Sequence, residues 1–321
     1  LIPGGRIIFG AGRNRGHHNL LNCYVIIPED DVDSIGQTVQ DMYRISCAGG
    51  GVGFNVSKLR PKGDHIGSVK NSAPGSVSVL KMINEVGEHV RAGKNRRTAL
   101  MGILNITHPD LLEFLSVKLD QGELNNFNIS VAITNRFLEA VELGEDWYFT
   151  FNNKEYHSYD IARMNPEEDR NEIISVIGMD EEDALSRAEN FQKVSWTDSF
   201  EMIGQRDIKA RELWDMIWKN SVESGDPGIY NIDLANSYTN VSYFESGEIS
   251  LPSYGNCCLG NINLNNMVLD DGSDLDWKRL AKTVRTGIRF LDNVLTVNTF
   301  PTEECKKVGE RSRRIGLLHV D

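Results

Sequence analysis

The chain has 321 residues, 25% charged and 40% apolar, with a formal charge of −12 at pH 7. That acidity argues against a general nucleic-acid binder, which needs clustered Lys and Arg against phosphates, and no apolar run is long enough for a membrane span. Five cysteines, at positions 23, 47, 257, 258 and 305, form neither a CxxC zinc pattern nor a secreted disulfide framework. A cytoplasmic location is therefore expected, no metal site is expected, and a cysteine with a function is expected to be redox-active.

The start, LIPGGRIIFGAGRNRG, lacks the layout of a signal peptide, and both ends read as cuts through a longer protein. NCYVIIP (22–28) predicts a buried strand ended by Pro28, followed by a polar helix from about Asp33 to Ile45. The glycine cluster CAGGGVGFNVSKLR (47–60) could bring backbone N–H groups to an anion. It lacks Walker spacing, and Val56 stands where a dinucleotide GxGxxG motif needs its third glycine. A tight turn or close backbone packing is the plainer reading.

Val79, Met82, Ile83, Val86 and Val90 fall at helical spacing, with Gly93 placed to end the helix. His89, Arg91, Lys94, Arg96 and Arg97 then form a basic loop in an acidic chain. It is either a solvated charge run or a phosphate clamp, since planar Arg forks suit phosphate oxygens. A strand over Leu100–Ile106 follows, then a helix opened by Thr107 with Pro109 and Asp110 in its first turn. FNISVAIT (127–134) predicts another strand and TNRFLEAVELG a short capped helix.

Residues 157–205 change character: they are acidic and apolar-poor, and read as a surface insertion, with a regulatory or partner-binding element as the other reading. KARELWDMIWKN resumes as a helix, and GDPGIYNID is a turn feeding a strand. Leu280, Val284, Ile288, Leu291 and Leu295 form the apolar face of a long helix. Strands alternating with helices predict an α/β fold with largely parallel pairing.

Cys23 and Cys257 each open a predicted strand, 234 positions apart. Burial is the usual fate of such cysteines, and a redox pair becomes the better reading if both strands start at the same end of a barrel. Cys258 should point to the opposite face, and Cys47 and Cys305 are expected to be structural.

LLNCYVI, GGGVGFNVSKLRPKG, GKNRRTALMGIL, HPDLLEFL, NNFNISVAIT, GDPGIYNIDLAN, PSYGNCCLGNINL and RRIGL occur in this order. Together they resemble the catalytic subunit of ribonucleotide reductase, most of all the adenosylcobalamin-dependent class II enzymes, with the class I large subunit as the alternative. The resemblance covers nearly the whole chain outside the acidic stretch. It implies part of a ten-stranded α/β barrel of the ribonucleotide reductase and glycyl-radical type, truncated at its C-terminus, with residues 1–321 in one barrel domain. It implies radical reduction of ribonucleotides for DNA precursor synthesis, with adenosylcobalamin as the radical source, or a di-metal small subunit in class I.

By the same resemblance, Cys23 and Cys257 match the reducing cysteine pair, and Asn22, Gly50, Gly51 and Gly53 match substrate-binding positions. The stretches 55–63 and 91–99 resemble two effector-binding loops, which points to Lys58, Arg60, Lys94, Arg96 and Arg97. Expected partners are a ribonucleotide substrate, a dNTP or ATP effector, a thioredoxin-like reductant and a second copy in a homodimer.

The match breaks in the finger loop, whose family signature is Asn-x-Cys-x-Glu. In FESGEISLPSYG, Gly247 and Glu248 match, but Ser246 stands at the radical cysteine and Phe244 at the asparagine. The piece also reads several residues short. Since an O–H bond is much stronger than S–H, the chain is expected not to turn over. The other reading is a non-catalytic nucleotide-binding paralogue that keeps the effector loops.

Overall fold

A computed structural model of the chain describes residues 1–13, 18–67, 72–90, 98–118, 123–156, 207–238, 244–245 and 250–320. The stretch read as an acidic insertion (157–205) and most of the basic loop lie outside the described residues.

Five strands run parallel: β2 (Cys23–Ile26), β3 (Gly51–Asn55), β4 (Leu100–Asn105), β5 (Phe127–Ile133) and, with β6 and β7 assigned to a hairpin below, β8 (Gly228–Asn231). On the other side of β2, β11 (Asn256–Asn263) pairs antiparallel, opposing Cys257 to Cys23. β12 (Ile315–Val320) then pairs parallel to β11, and β1 (Ile2–Pro3) pairs antiparallel to it. A parallel half-sheet thus meets the first strands of opposite direction, the layout of a partial α/β barrel.

The α-helices among the described residues are α1 (Gly5–Gly10), α2 (Val32–Cys47), α3 (Gly75–Glu88), α4 (Leu111–Ser116), α5 (Asn135–Leu143), α6 (Ala210–Ser224), α7 (Ile232–Ser237), α8 (Trp277–Val297) and α9 (Glu303–Ser312). All but α7 contribute to the core on the outer face. Local chemistry starts and stops them. Asp31 caps α2 by accepting from the Ser34 N–H at 2.8 Å, and Thr134 caps α5 by accepting from Phe137 at 3.1 Å. Gly144 and Gly225 end α5 and α6 in the left-handed conformation that glycine adopts without steric cost.

The parity of the strands divides the side chains. Tyr24, Ile26, Val52, Phe54, Leu100, Leu104, Phe127, Ile129, Val131 and Cys258 belong to the main core, shared with helix residues such as Ile45, Leu80, Ile83 and Leu291. The alternate residues point inward. Val25, Ile27, Cys257 and Leu251 form a small separate cluster there, against which Cys23 and Leu259 pack.

Several local expectations are corrected. The glycine cluster is not only a turn: Gly51–Asn55 is a fully buried central strand, because glycines on a packed sheet admit close neighbours and need not break it. The helix after the basic-loop strand starts at Leu111 rather than Thr107, since residues 107–110 form a turn. Helix α3 ends at Glu88, before Gly93, with His89 as its cap. On α8 the buried stripe runs through Gly287, Leu291, Val294 and Leu295, leaving Ile288 exposed. Cys47 is exposed at the end of α2, whereas Cys305 is buried in α9 as expected. Hairpin β6 (Phe149–Phe151) and β7 (Lys154–Tyr156) was not foreseen; Asn152 and Asn153 turn it with φ of 49° and 61°. That Asn-Asn pair was the missed signal, because Asn tolerates the left-handed region better than most residues.

Candidate active site

Register places the candidate residues. Cys23 lies opposite Cys257 on one side and beside Gly51 on the other, and Val25 lies beside Gly53. Directly opposed residues on antiparallel strands have Cα atoms about 4.5–5.5 Å apart, inside the window a disulfide accepts. All five cysteines are present as thiols. Two residues 234 positions apart therefore meet on one face, at the junction between the two strand directions.

The inner face around them is small and polar. Gly51, Gly53, Asn128, Ser130, Gly228 and Asn261 share the parity of the two cysteines through successive register pairs. The Ser130 hydroxyl donates to the Met101 sulfur at 3.7 Å, and a Cβ on Gly228 would lie 2.7 Å from Ser130 Oγ. Most side chains of this face are smaller than those of the outer face, which is filled by rings and branched chains, and a Cβ on Gly51 would lie 3.2 Å from the Ala99 carbonyl oxygen. β10 (Ser250–Leu251), paired with β9 (Phe244–Glu245), brings Leu251 into the inner cluster beside Cys257. Ser246 and Glu248, between those two strands, lie outside the described residues.

Asn22 is joined to this arrangement at both ends. Its carbonyl oxygen accepts from the Gly51 N–H at 2.7 Å, and its Oδ1 accepts from the Arg6 N–H at 3.3 Å. Gly50 has the opposite parity: a Cβ there would lie 2.8 Å from Ile45 Cγ2 and 2.9 Å from the Tyr24 ring, both outer-layer groups. Gly51 and Gly53 thus share the face of the thiols, while Asn22 turns its side chain to Arg6 at the start of α1 and Gly50 backs onto the helices.

The two adjacent cysteines have different surroundings. The Cys258 thiol donates to the Leu291 carbonyl on α8 at 3.5 Å, and burial pushes its pKa up to about 12. The thiolate is the reactive form, so Cys258 is an inert core group at neutral pH. Burial raises the Cys305 thiol to about 12 as well.

A cleft of about 430 Å³ opens at the ends of β3 and β4, lined by Glu29, Asp30, Lys58, Asn105, His108 and Asn152 among others. Lys58 forms an ion pair with Glu29, and Arg60 holds Asp30 with Nε at 2.8 Å from Oδ2 and 3.0 Å from Oδ1. Lys94, Arg96 and Arg97 lie outside the described residues. The cleft wall includes His108, which sequence reasoning passed over. His108 Nε2 donates to the Leu59 carbonyl at 2.9 Å and Nδ1 accepts from the Asp110 N–H at 3.0 Å, which defines a neutral ring. Burial lowers its pKa despite the nearby Asp110 carboxylate. Asp110 in turn accepts from Lys62 N–H (2.9 Å), Ser76 N–H (2.8 Å) and Ser76 Oγ (2.8 Å), tying the 55–63 loop to the start of α3.

Comparison with known proteins identifies the family. A family model described as the ribonucleotide reductase barrel domain matches residues 21–318. The chain belongs to the ribonucleotide reductase family. Similar relatives include the vitamin B12-dependent ribonucleoside-diphosphate reductase of Thermoplasma acidophilum, 35% identical over 98% of this chain and 36% of the relative. The protein of the same description from Mycobacterium tuberculosis is 30% identical over 98% of this chain and 40% of the relative. The ribonucleoside-diphosphate reductase large chain of Cryptosporidium parvum is 24% identical over 97% and 37%. The chain thus spans well under half the length of these reductases. Among the described residues no helix is long and apolar enough to cross a membrane, and no group of three His, Cys, Asp or Glu could hold a metal ion.

Proposed function

We propose that this chain is the part of a class II ribonucleotide reductase barrel that carries the reducing thiols, with Cys23 and Cys257 as the couple. The reading rests on one observation, the direct opposition of those two residues across neighbouring strands. In the proposed step each thiol gives up one proton and one electron as the sulfurs join. The ribose takes up two electrons and two protons, exchanging its 2′-hydroxyl for hydrogen and releasing water. Asn22, Gly51 and Gly53 bind the substrate ribonucleotide, and Glu248 moves protons in the same pocket. A thioredoxin-like dithiol restores the couple, in the cytoplasm.

Adenosylcobalamin is proposed as the radical source on the strength of the B12-dependent relatives. The lining of the cleft beside the 55–63 loop, mostly charged or polar, does not fit a corrin ring. No step above passes through the cofactor. A dNTP or ATP effector is assigned to that cleft, with Lys58 lining it and Arg60 shaping its rim through Asp30; Lys94, Arg96 and Arg97 complete the proposed effector-binding set. Pairing as a homodimer belongs to the same reading.

With serine at position 246, the chain as written binds nucleotides and does not turn over. The second reading, a nucleotide-binding paralogue without catalysis, is favoured by that residue. The test combines thiol chemistry with binding. Mild oxidation of the reduced protein should consume Cys23 and Cys257 together and link their peptides, and equilibrium dialysis should detect saturable deoxynucleoside triphosphate binding. Binding without the bridge leaves the paralogue, and neither result removes both readings. Restoring an Asn-x-Cys-x-Glu finger loop in the full-length reading frame should switch reduction on.

A further inference from the structure

β11 carries two neighbouring cysteines, and only one of them can face Cys23. Side chains alternate along a strand, so a slip of one residue against β2 would put Cys258 inside and Cys257 behind the sheet. The pairing of β11 with β2 covers only Asn256 and Cys257, and a sequence of Asn-Cys-Cys-Leu-Gly-Asn-Ile-Asn has no strong apolar alternation at that end. The register must be fixed from outside this short ladder.

The turn just before β11 supplies the fixing points. Tyr254 stands at φ 59°, a left-handed conformation that a bulky residue adopts only when its surroundings hold it there. Its N–H donates to the Val25 carbonyl at 2.7 Å, the Gly255 N–H donates to the Pro252 carbonyl at 2.7 Å, and the Val25 N–H donates to the Gly255 carbonyl at 3.1 Å. A Cβ on Gly255 would lie 2.7 Å from the Pro252 oxygen, so the turn admits no larger residue.

The Tyr254 side chain reaches through the outer layer to α2, where its hydroxyl donates to Asp41 Oδ2 at 3.1 Å. Asp41 is 1% exposed, and its other oxygen lies 3.7 Å from the Arg44 guanidinium. A carboxylate set this deep among apolar groups is costly without donors. Burial and the Asp41 charge raise the Tyr254 pKa, so its hydroxyl keeps the proton it donates.

We propose that the Tyr254–Asp41 hydrogen bond is the register lock of the thiol pair, holding the turn so that Cys257 and not Cys258 faces Cys23. Tyr254 and Asp41 are positioning residues on the far side of the sheet from the substrate face. Asn256, donating to the Cys305 carbonyl at 3.1 Å, and Cys258, donating to Leu291, grip the same outer side one and two turns of the pleat further on. The lock acts on the turn that leads into β11, two residues before Asn256. The inference rests on the reading of Cys23 and Cys257 as the redox couple, but its physical content is a strand register that can be read separately.

The variants Tyr254→Phe, Asp41→Ala and Asp41→Asn test it, each labelled well below its melting temperature. Labelling of the reduced protein with N-ethylmaleimide, located by fragment-ion mass spectrometry, reports how often each of the two neighbouring thiols, both buried in the native fold, becomes accessible. A lost hydrogen bond to a buried carboxylate corresponds to roughly a ten-fold change in a local equilibrium. Cys258 should therefore label about ten-fold faster in Tyr254→Phe and Asp41→Ala, with Asp41→Asn, which keeps an acceptor oxygen, close to wild type. Diamide, an azo oxidant that takes two electrons and two protons to become a hydrazine, gives a second readout. In a Cys257→Ser background the Cys23–Cys258 bridge should appear only when the lock is broken. Wild-type labelling of Cys258 in both Tyr254→Phe and Asp41→Ala overturns the lock. Failure of the wild-type protein to form a Cys23–Cys257 bridge overturns the redox reading instead, and the labelling ratio still decides the lock.

Discussion

On its outer face the sheet presents Tyr24, Phe54, Leu100, Leu104, Phe127 and Val131 to the helices, whereas its inner face carries Cys23, Gly51, Gly53, Ser130, Gly228 and Cys257. Both sets come from the same strands, one residue apart. The outer set is large and interlocked, with the Phe54 and Phe127 rings 6.0 Å apart. The inner set is smaller and carries the two opposed thiols. Stability and chemistry are thereby assigned to opposite parities of one sequence, so substitutions one residue apart should fail in different ways.

The largest difference is expected between Phe54→Ala and Cys23→Ser. Phe54 is fully buried in the main core, and its truncation should cost about 3–5 kcal/mol in a urea titration. Cys23 is only partly buried and packs against the small inner cluster. Its replacement by serine should shift the midpoint by well under half as much while abolishing the oxidative link to Cys257. Equal losses of stability in the two variants would collapse the distinction between the faces.

A smaller effect probes how the outer layer is fastened where it meets the cleft. Asp110 is 6% exposed and takes three hydrogen bonds from Lys62 and Ser76. Asp110→Ala leaves those donors without their acceptor, and charge-assisted bonds are each worth about 1.5–3 kcal/mol. The net cost should be about 2–3 kcal/mol by denaturant titration, because the exposed end of the loop can recruit water. Local hydrogen exchange should rise in residues 56–62 and at the start of α3, and not at Cys23. Exchange that rises evenly over the whole chain would mean that Asp110 supports the core in general and does not fasten this loop.

What could be read in advance follows the same division. The outer face was legible because its parity and its helices announce themselves: NCYVI, LMGILN and FNISVAI are runs of branched and aromatic residues, and Thr134 and Gly144 bracket α5 with recognisable caps. The inner face was legible only in part. Cys23, Cys257 and the opposite orientation of Cys258 came from strand parity and family resemblance, but no local pattern reveals that positions 23 and 257 are neighbours. β3 was hidden because its inward residues are glycines, chosen for what they leave empty. Asp110 reads in the sequence only as part of a helix start and His108 gives no local signal, because their partners lie on a loop and a helix that only the fold brings near. Long-range hydrogen bonding leaves no periodicity to detect.

The finest comparison sets alkaline pH against the two buried outer-layer thiols, Cys258 and Cys305. Each has a folded pKa pushed up by burial to about 12 from an ordinary value near 9. The unfolded chain therefore releases these protons first, so stability is complete below pH 9 and falls as pH rises from 9 toward 12. Between pH 9 and 10 each thiol should remove about 1 kcal/mol, before Tyr24 and Tyr254, which are raised from a higher starting point, contribute much. Urea midpoints measured across that interval should decline, and Cys258→Ala should remove about half of the decline while changing the neutral-pH midpoint by less than Phe54→Ala does. A Cys258→Ala slope identical to wild type would mean that the thiol already meets solvent, and that the parity separating it from Cys257 is not maintained in solution.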